Sequence, residues 1–392
     1  MKSKVKRFSA IIFVVALLIS NCIVKKSDAN AEFKSISSEQ AKLMAVLQIQ
    51  SYIVNCEKDA VSKWKWGIRI EEPVPMYSLT REVEAYYVGV VDEREESIGY
   101  VIVGANLTHA PIIEYNVSNM FYPEVVRQEI KMDSLYYMGG LRYWVGDYKQ
   151  IVDATSFGEY KKIEYKRLCN TSVIRGNYNV AWGNWSKLLN SRRIEIKDNI
   201  ITEPLYRNEL IVRGSEKSVV SWNQPYKVMN SFPNKEYHCA PLAAVNLCLY
   251  WRNRCGAQYA NLRKPNDNLW WNTLDELYVL MRTNQQTNGT LPGDIDNGLR
   301  QYIRTTGYRA RVSMESNACW QKAVYEINED RPIIVGYYYP IETDMMGHAM
   351  LALGYSNING RQIRVADGYS GYASRFLEFM DHVEYVESLE FY

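Results

Sequence analysis

A cysteine that opens an apolar helix is the first residue of this chain with the makings of a chemical group. Cys239 lies in the stretch SWNQPYKVMNSFPNKEYHCAPLAAVNLCLYW, from Ser221 to Trp251. Leu242, Val245 and Leu249 recur behind it at helical spacing, and Pro241 falls where a first helical turn tolerates proline. A thiol at a helix N-terminus faces unpaired backbone donors and the positive end of the macrodipole. That is worth about 0.3–1 kcal/mol to a thiolate when exposed, and more when partly buried. Upstream, Gln224 carries an amide of the kind that can bind an oxyanion. A nucleophilic thiol also needs a base within hydrogen-bond reach and a third group to orient that base.

Four histidines are available, His109, His238, His348 and His382. His348 begins an apolar run, Ala349 to Leu353, that reads as a buried strand. A turn over Ser356 to Gly360 and a second strand, Arg361 to Ala366, lead to Asp367. In such a hairpin the first residue of one strand lies beside the last of the other, so His348 and Asp367 are expected to be neighbours. That pairing needs a loop centred near Asn357 and Ile358, and a tight Asn359-Gly360 turn would shift the register. The longer loop is the expectation. His238 reads as a loop residue, because adjacent side chains on a backbone entering a helix diverge, whereas a base must approach sulfur from across a cleft.

The order Gln224, Cys239, Gly347-His348, Asp367 resembles papain-like cysteine peptidases, and within them the streptopain branch and the peptidase domains that trim bacteriocin leaders. WNQPY, Trp222 to Tyr226, is similar to the streptopain-type segment that carries the oxyanion glutamine, and CAPLAAVN, Cys239 to Asn246, resembles the Cys-Gly-Pro-Ala-Ala pattern of the leader-peptidase group. The match spans roughly Val219 to Tyr392. Ala240 replaces the usual glycine after the nucleophile, and the loop before Cys239 is longer than in papain. The resemblance implies Cys239 as nucleophile, His348 as base, Asp367 as its orienting group and Gln224 as oxyanion donor. It also implies a polypeptide substrate, and calls for no metal or cofactor. Singly, each residue has a plainer reading. A cysteine in an apolar helix is commonly a small buried hydrophobe, as Cys248 is read here; His348 could be a satisfied core histidine, Asp367 a turn residue and Gln224 a surface amide.

The elements that must position these groups divide the chain. Residues 1–31 read as a secretory signal peptide, with a basic start, an apolar run from Ala10 to Leu18 and a small-residue site at Ala29-Asn30-Ala31. Ile19-Ser20-Asn21-Cys22 is a weak lipobox, so release is preferred over a lipid anchor at Cys22. No later segment approaches the ~20 apolar residues of a membrane span. A formal net charge of +2 argues against nucleic acid or a membrane surface as partner. Six cysteines remain after the signal, few enough to be read as mostly reduced, since pairing Cys239 would abolish its chemistry.

Two further domains are expected. Residues 32–190 form a smaller α+β unit that opens with a capping box at Ser37-Ser38-Glu39-Gln40 and a helix to about Cys56. A hairpin of Val83 to Val91 with Ile98 to Ala105 follows, then short aromatic strands over Tyr136 to Tyr160. It resembles, weakly, the inhibitory propeptide of streptopain-like enzymes, and a permanent accessory domain is the alternative. Polar residues 191–218 read as a linker. Residues 219–392 form the papain-like α+β domain. After the Cys239 helix come a helix capped at Thr273, another after Asn317, a strand from Pro332 to Tyr339, the His348 hairpin and a last strand over Val386 to Tyr392. Helices carrying the nucleophile and a sheet carrying the base place the site in the cleft between them.

Three functions fit this reading. The first is a secreted cysteine peptidase made as a zymogen and inhibited by its own N-terminal unit. The second is a non-catalytic secreted binding protein on a papain-like shell, for which 31 tyrosines and 10 tryptophans would suit recognition. The third is an amidase or acyltransferase with the same triad. Serine-hydrolase, Walker and zincin signatures are absent.

Overall fold

The computed structural model describes residues 35–56, 59–78, 80–118, 135–137, 143–145, 178–191, 199–202, 215–317, 319–338, 347–358, 360–379 and 383–392. The signal peptide with its Cys22 lipobox, His382, and most of the aromatic Tyr136 to Tyr160 segment lie outside them.

The chain opens with α1, Ser38–Asn55, held by the expected capping box. Ser37 accepts from the Gln40 N–H at 3.2 Å, and the Gln40 side chain accepts from the Ser37 N–H at 2.9 Å. Seven strands follow: β1 (Arg69–Ile70), β2 (Val74–Tyr77), β3 (Val83–Val91), β4 (Ser97–Gly104), β5 (Ile112–Asn116), β6 (Leu135–Tyr137) and β7 (Tyr143–Val145), then helix α2, Asn179–Ser191. The C-terminal half runs β8 (Glu216–Ser218), α3 (Cys239–Cys255), α4 (Trp271–Leu280), α5 (Pro292–Thr305), β9 (Ala310–Glu315) and α6 (Cys319–Asn328). It ends on β10 (Ile333–Tyr338), β11 (Gly347–Ser356), β12 (Gln362–Ala366), β13 (Arg375–Glu378) and β14 (Val383–Phe391). The result is a mixed fold with one large sheet and, among the described residues, six α-helices.

All of these strands belong to a single 14-stranded sheet in the order β7-β6-β2-β3-β4-β5-β13-β12-β11-β10-β14-β9, with β1 beside β3 and β8 beside β11. The two halves expected from the sequence are joined at β5 and β13, which pair antiparallel with Arg375 opposite Asn116 and Leu377 opposite Glu114. Ile36 to Tyr392 accordingly forms one compact unit. The described parts of residues 191–218 are bonded into it. Ile200 bridges Arg69, and β8 extends the sheet beside β11, with Ser218 opposite Gly354.

Helix α3 is buried on every side from Ala240 to Trp251, as its apolar sequence requires, and it packs on β11. β11 and β12 are buried almost throughout, which is why both read as continuous apolar runs. Gly336 in β10 is needed for close approach: a Cβ there would lie 2.0 Å from the ring of Tyr385, its partner on β14.

Candidate active site

Cys239 is the first residue of α3, half-buried, with His238 as the N-cap. Its thiol is hydrogen-bonded to His348, the second residue of β11. Burial alone would push the thiol up. The hydrogen bond and charge of His348, together with the backbone N–H groups of Ala349 and Ala240, outweigh burial and bring it below the ordinary thiol value. His348 is buried and answers in the opposite sense. Burial would lower the imidazole, but the Cys239 hydrogen bond and charge, the Asp367 carbonyl and the Asp367 charge raise it. A thiolate and an imidazolium therefore stabilise each other across the gap between α3 and the sheet.

The second ring nitrogen settles the tautomer. His348 Nε2 lies 2.7 Å from the backbone carbonyl oxygen of Asp367. A carbonyl only accepts, so Nε2 carries the proton and Nδ1 is left to face the thiol. The ring is also stacked on Tyr369, centroids 5.2 Å apart and planes at 17°.

Asp367 stands next to His348 as expected, but through its main chain. The β11–β12 hairpin closes with Ser356 opposite Gln362 and runs on to Leu351 opposite Ala366, so the register carries Asp367 past Met350 instead of His348. Its carboxylate, wholly buried, serves the turn. Oδ1 accepts from the N–H groups of Tyr369 (2.9 Å) and Ser370 (2.8 Å), and Oδ2 forms an ion pair with Arg375 Nη1 at 2.9 Å. Gly368, at φ 81°, makes that turn affordable.

Gln224 is the predicted residue that the structure does not bring to the site. Asn253 Nδ2 donates to its Oε1 at 2.6 Å, and Asn253 sits in the last turn of the 17-residue helix that Cys239 opens. At ~1.5 Å per residue the two helix ends are about 20 Å apart. The segment from Val220 to Met229 runs along α3 from its C-terminal end toward its N-terminal end: Val220 accepts from Tyr250 Oη (2.8 Å), the Lys227 N–H donates to Asn246 (2.8 Å), and the Met229 N–H donates to Gly368 (2.7 Å). Gln224 belongs to the distal end of that run. His238 is buried against Phe232, ring centroids 6.2 Å apart, and burial lowers its imidazole. His109 pairs with Glu84 at 2.7 Å in the N-terminal half.

Sequence reading missed Tyr369, Arg375, and the Ala349 N–H. A charged residue within the strand Arg375–Glu378 was a usable signal for Arg375, since a buried charge implies a partner; nothing in the sequence distinguished Tyr369 from the other tyrosines.

The chain matches no family model and no curated protein. Solved structures similar to it include a fragment of Prevotella intermedia prointerpain A in a cysteine-to-alanine form. That fragment is 12% identical, with 81% of this chain and 98% of that chain covered and a TM-score of 0.38. A C39-like peptidase from Bacillus anthracis is 8% identical, with 44% of this chain and 98% of that one covered and a TM-score of 0.29.

Proposed function

We propose that this protein is an exported cysteine peptidase of the papain-like kind, hydrolysing peptide bonds through a Cys239 thioester. The observation that carries the reading is the Cys239–His348 hydrogen bond at the start of a helix, with His348 Nε2 held 2.7 Å from a carbonyl. The Cys239 thiolate attacks the peptide carbonyl, and the oxyanion is held by the Cys239 N–H, a first-turn donor with no partner inside the helix. The His348 imidazolium gives its Nδ1 proton to the leaving amine. Water then attacks the thioester, losing a proton to His348, and the acid product leaves as the thiolate is restored. The nucleophile, the base and the oxyanion donor all belong to the chain itself.

Export rests on the leader-like first 31 residues, and the substrate class, a polypeptide, on the resemblance. Among the described residues no helix is long and apolar enough to cross a membrane. For the N-terminal half, the pairing of β5 with β13 favours the accessory-domain alternative over a released propeptide, because release would strip a strand from the catalytic sheet.

The test compares the wild-type chain with Cys239→Ser and His348→Ala by iodoacetamide alkylation across pH and by casein hydrolysis. The expected result is preferential alkylation of Cys239 at mildly acidic pH and loss of hydrolysis in both variants. Alkylation of Cys239 no faster than that of the other thiols would end the proposal. Fast alkylation without hydrolysis of any polypeptide would transfer the site to the amidase or acyltransferase reading.

A further inference from the structure

Arg375 of β13 is buried, and its guanidinium lies between two carboxylates from opposite halves of the chain. Nη1 is 2.9 Å from Asp367 Oδ2, and Nε is 3.4 Å from Glu114 Oε1. Glu114 comes from β5. Since Arg375 pairs with Asn116 and Leu377 with Glu114, Arg375 and Glu114 are diagonal cross-strand neighbours on one face, within reach of a long side chain. Glu114 has no exposed surface and accepts hydrogen bonds from the hydroxyls of Tyr100 and Tyr143, both in the N-terminal half. On the other side of Arg375, the Asp367 carboxylate holds the turn to Ser370, and the Asp367 carbonyl holds His348.

We propose that Glu114 is a positioning residue of the active site, supplied by the N-terminal half: with Asp367 it clamps Arg375, and the clamp fixes the turn whose carbonyl orients the His348 ring. A guanidinium suits this post because its fork can address two carboxylates at once, whereas a lysine ammonium is a point charge. Loosening the clamp frees the Asp367 turn, weakens the Nε2–H bond and leaves the imidazolium less stable. The Cys239 thiolate then loses part of its counter-ion. The inference rests on the Cys239–His348 pair of the proposed function, but it is read on the thiol and not on peptide hydrolysis.

The experiment measures the rate of Cys239 alkylation by iodoacetamide against pH in the full-length wild type, Glu114→Gln and Arg375→Lys, with thermal unfolding followed in parallel. Glu114→Gln keeps the shape and loses the charge. Arg375→Lys keeps the charge and loses the fork. In each, the low-pH limb of alkylation should move upward, with the rate at mildly acidic pH falling roughly three- to tenfold, up to about one pKa unit. Peptide hydrolysis, if present, should lose kcat with KM held. A purely structural role lowers the unfolding temperature and leaves the limb in place. That outcome in either folded variant overturns the inference, and so does a wild type with no low-pH limb. A wild type with the limb but without peptide hydrolysis ends only the peptidase assignment, and the variants still decide this one.

Discussion

Replacing Gln224 with alanine separates the geometry described above from the role the resemblance assigns to that residue. An oxyanion donor must sit about 3 Å from an oxygen on the carbon bonded to Cys239 Sγ, and losing one costs roughly 2.7–4 kcal/mol, or 10²–10³ in kcat. Gln224 is bonded to Asn253 at 2.6 Å, in the last turn of a 17-residue helix whose first residue is Cys239. That helix is about 25 Å long. Even with both side chains reaching toward the N-terminus, the amide stays more than ~10 Å short of the site. Gln224→Ala should therefore leave kcat and KM on a peptide substrate within about twofold of wild type. The loss falls on stability and is small: the Asn253–Gln224 hydrogen bond is exposed, so it is worth no more than about 0.5–1.5 kcal/mol. Steady-state kinetics beside a denaturant melt measure both quantities. A fall in kcat of a hundredfold or more, with the melt unchanged, would refute the placement and return the oxyanion to the glutamine.

Asp367→Asn keeps the backbone carbonyl that holds His348 and an acceptor for the Tyr369 and Ser370 N–H groups, but leaves buried Arg375 with Glu114 alone. Stability should fall by up to the ~3–5 kcal/mol of a broken buried ion pair while kcat, measured well below the melt, falls less than in His348→Ala; an unchanged melt with abolished kcat would show that the carboxylate orients the ring directly. Glu387 of β14 is wholly buried, and burial, then the Asp296 charge, push it up to about 9, against the opposing pull of Arg300 and Lys322. Because its folded value lies above the unfolded one, the stabilising contribution is complete below pH 4.5 and is lost as pH rises toward 9. At ~1.36 kcal/mol per unit, about 3 kcal/mol is lost between pH 4.5 and 7, so Glu387→Gln should flatten the pH dependence of unfolding over that range. Parallel wild-type and variant curves would contradict this.

Local signals carried far in this chain. Ser37 to Gln40 made the capping box it spelled, β3 spans Val83–Val91, and α3 starts at Cys239 because Pro241 can occupy only a first turn. The His348 hairpin closes in neither of the two ways weighed: Ser356 is opposite Gln362, which is not the tight Asn359-Gly360 turn, and the strands then fall short of the register that would set His348 opposite Asp367. The Thr273 box failed for a local reason. α4 begins at Trp271, Asp267 caps the Thr273 N–H at 2.8 Å, and the Thr273 hydroxyl serves Lys264. α2 and α5 went unread. What sequence could not show were contacts of long separation: the path of Gln224 along α3, the β11–β12 register that sets Asp367 beyond His348, and the meeting of β5 with β13. Each depends on which strands become neighbours, and no periodicity encodes that.

The meeting of β5 with β13 also bears on how the two halves could ever part. Tyr115 of β5 stacks on Phe376 of β13 at 4.6 Å and 9°, and Tyr52 of α1 and Trp64 pack around that pair. Arg364 of β12 is buried between the rings of Trp222 and Phe376, 3.6 and 4.6 Å from their centroids, and forms its ion pair with Asp59 of the N-terminal half. Arg375 does the same with Glu114. Parting the halves would leave each buried arginine without one anionic partner, at a cost of several kcal/mol apiece, and would open a sheet edge on both sides. An inhibitory domain that must leave is better attached by groups that water can satisfy once it has gone. Buried charges and a shared strand suit a domain that stays, and a domain that stays can lend the active site a carboxylate.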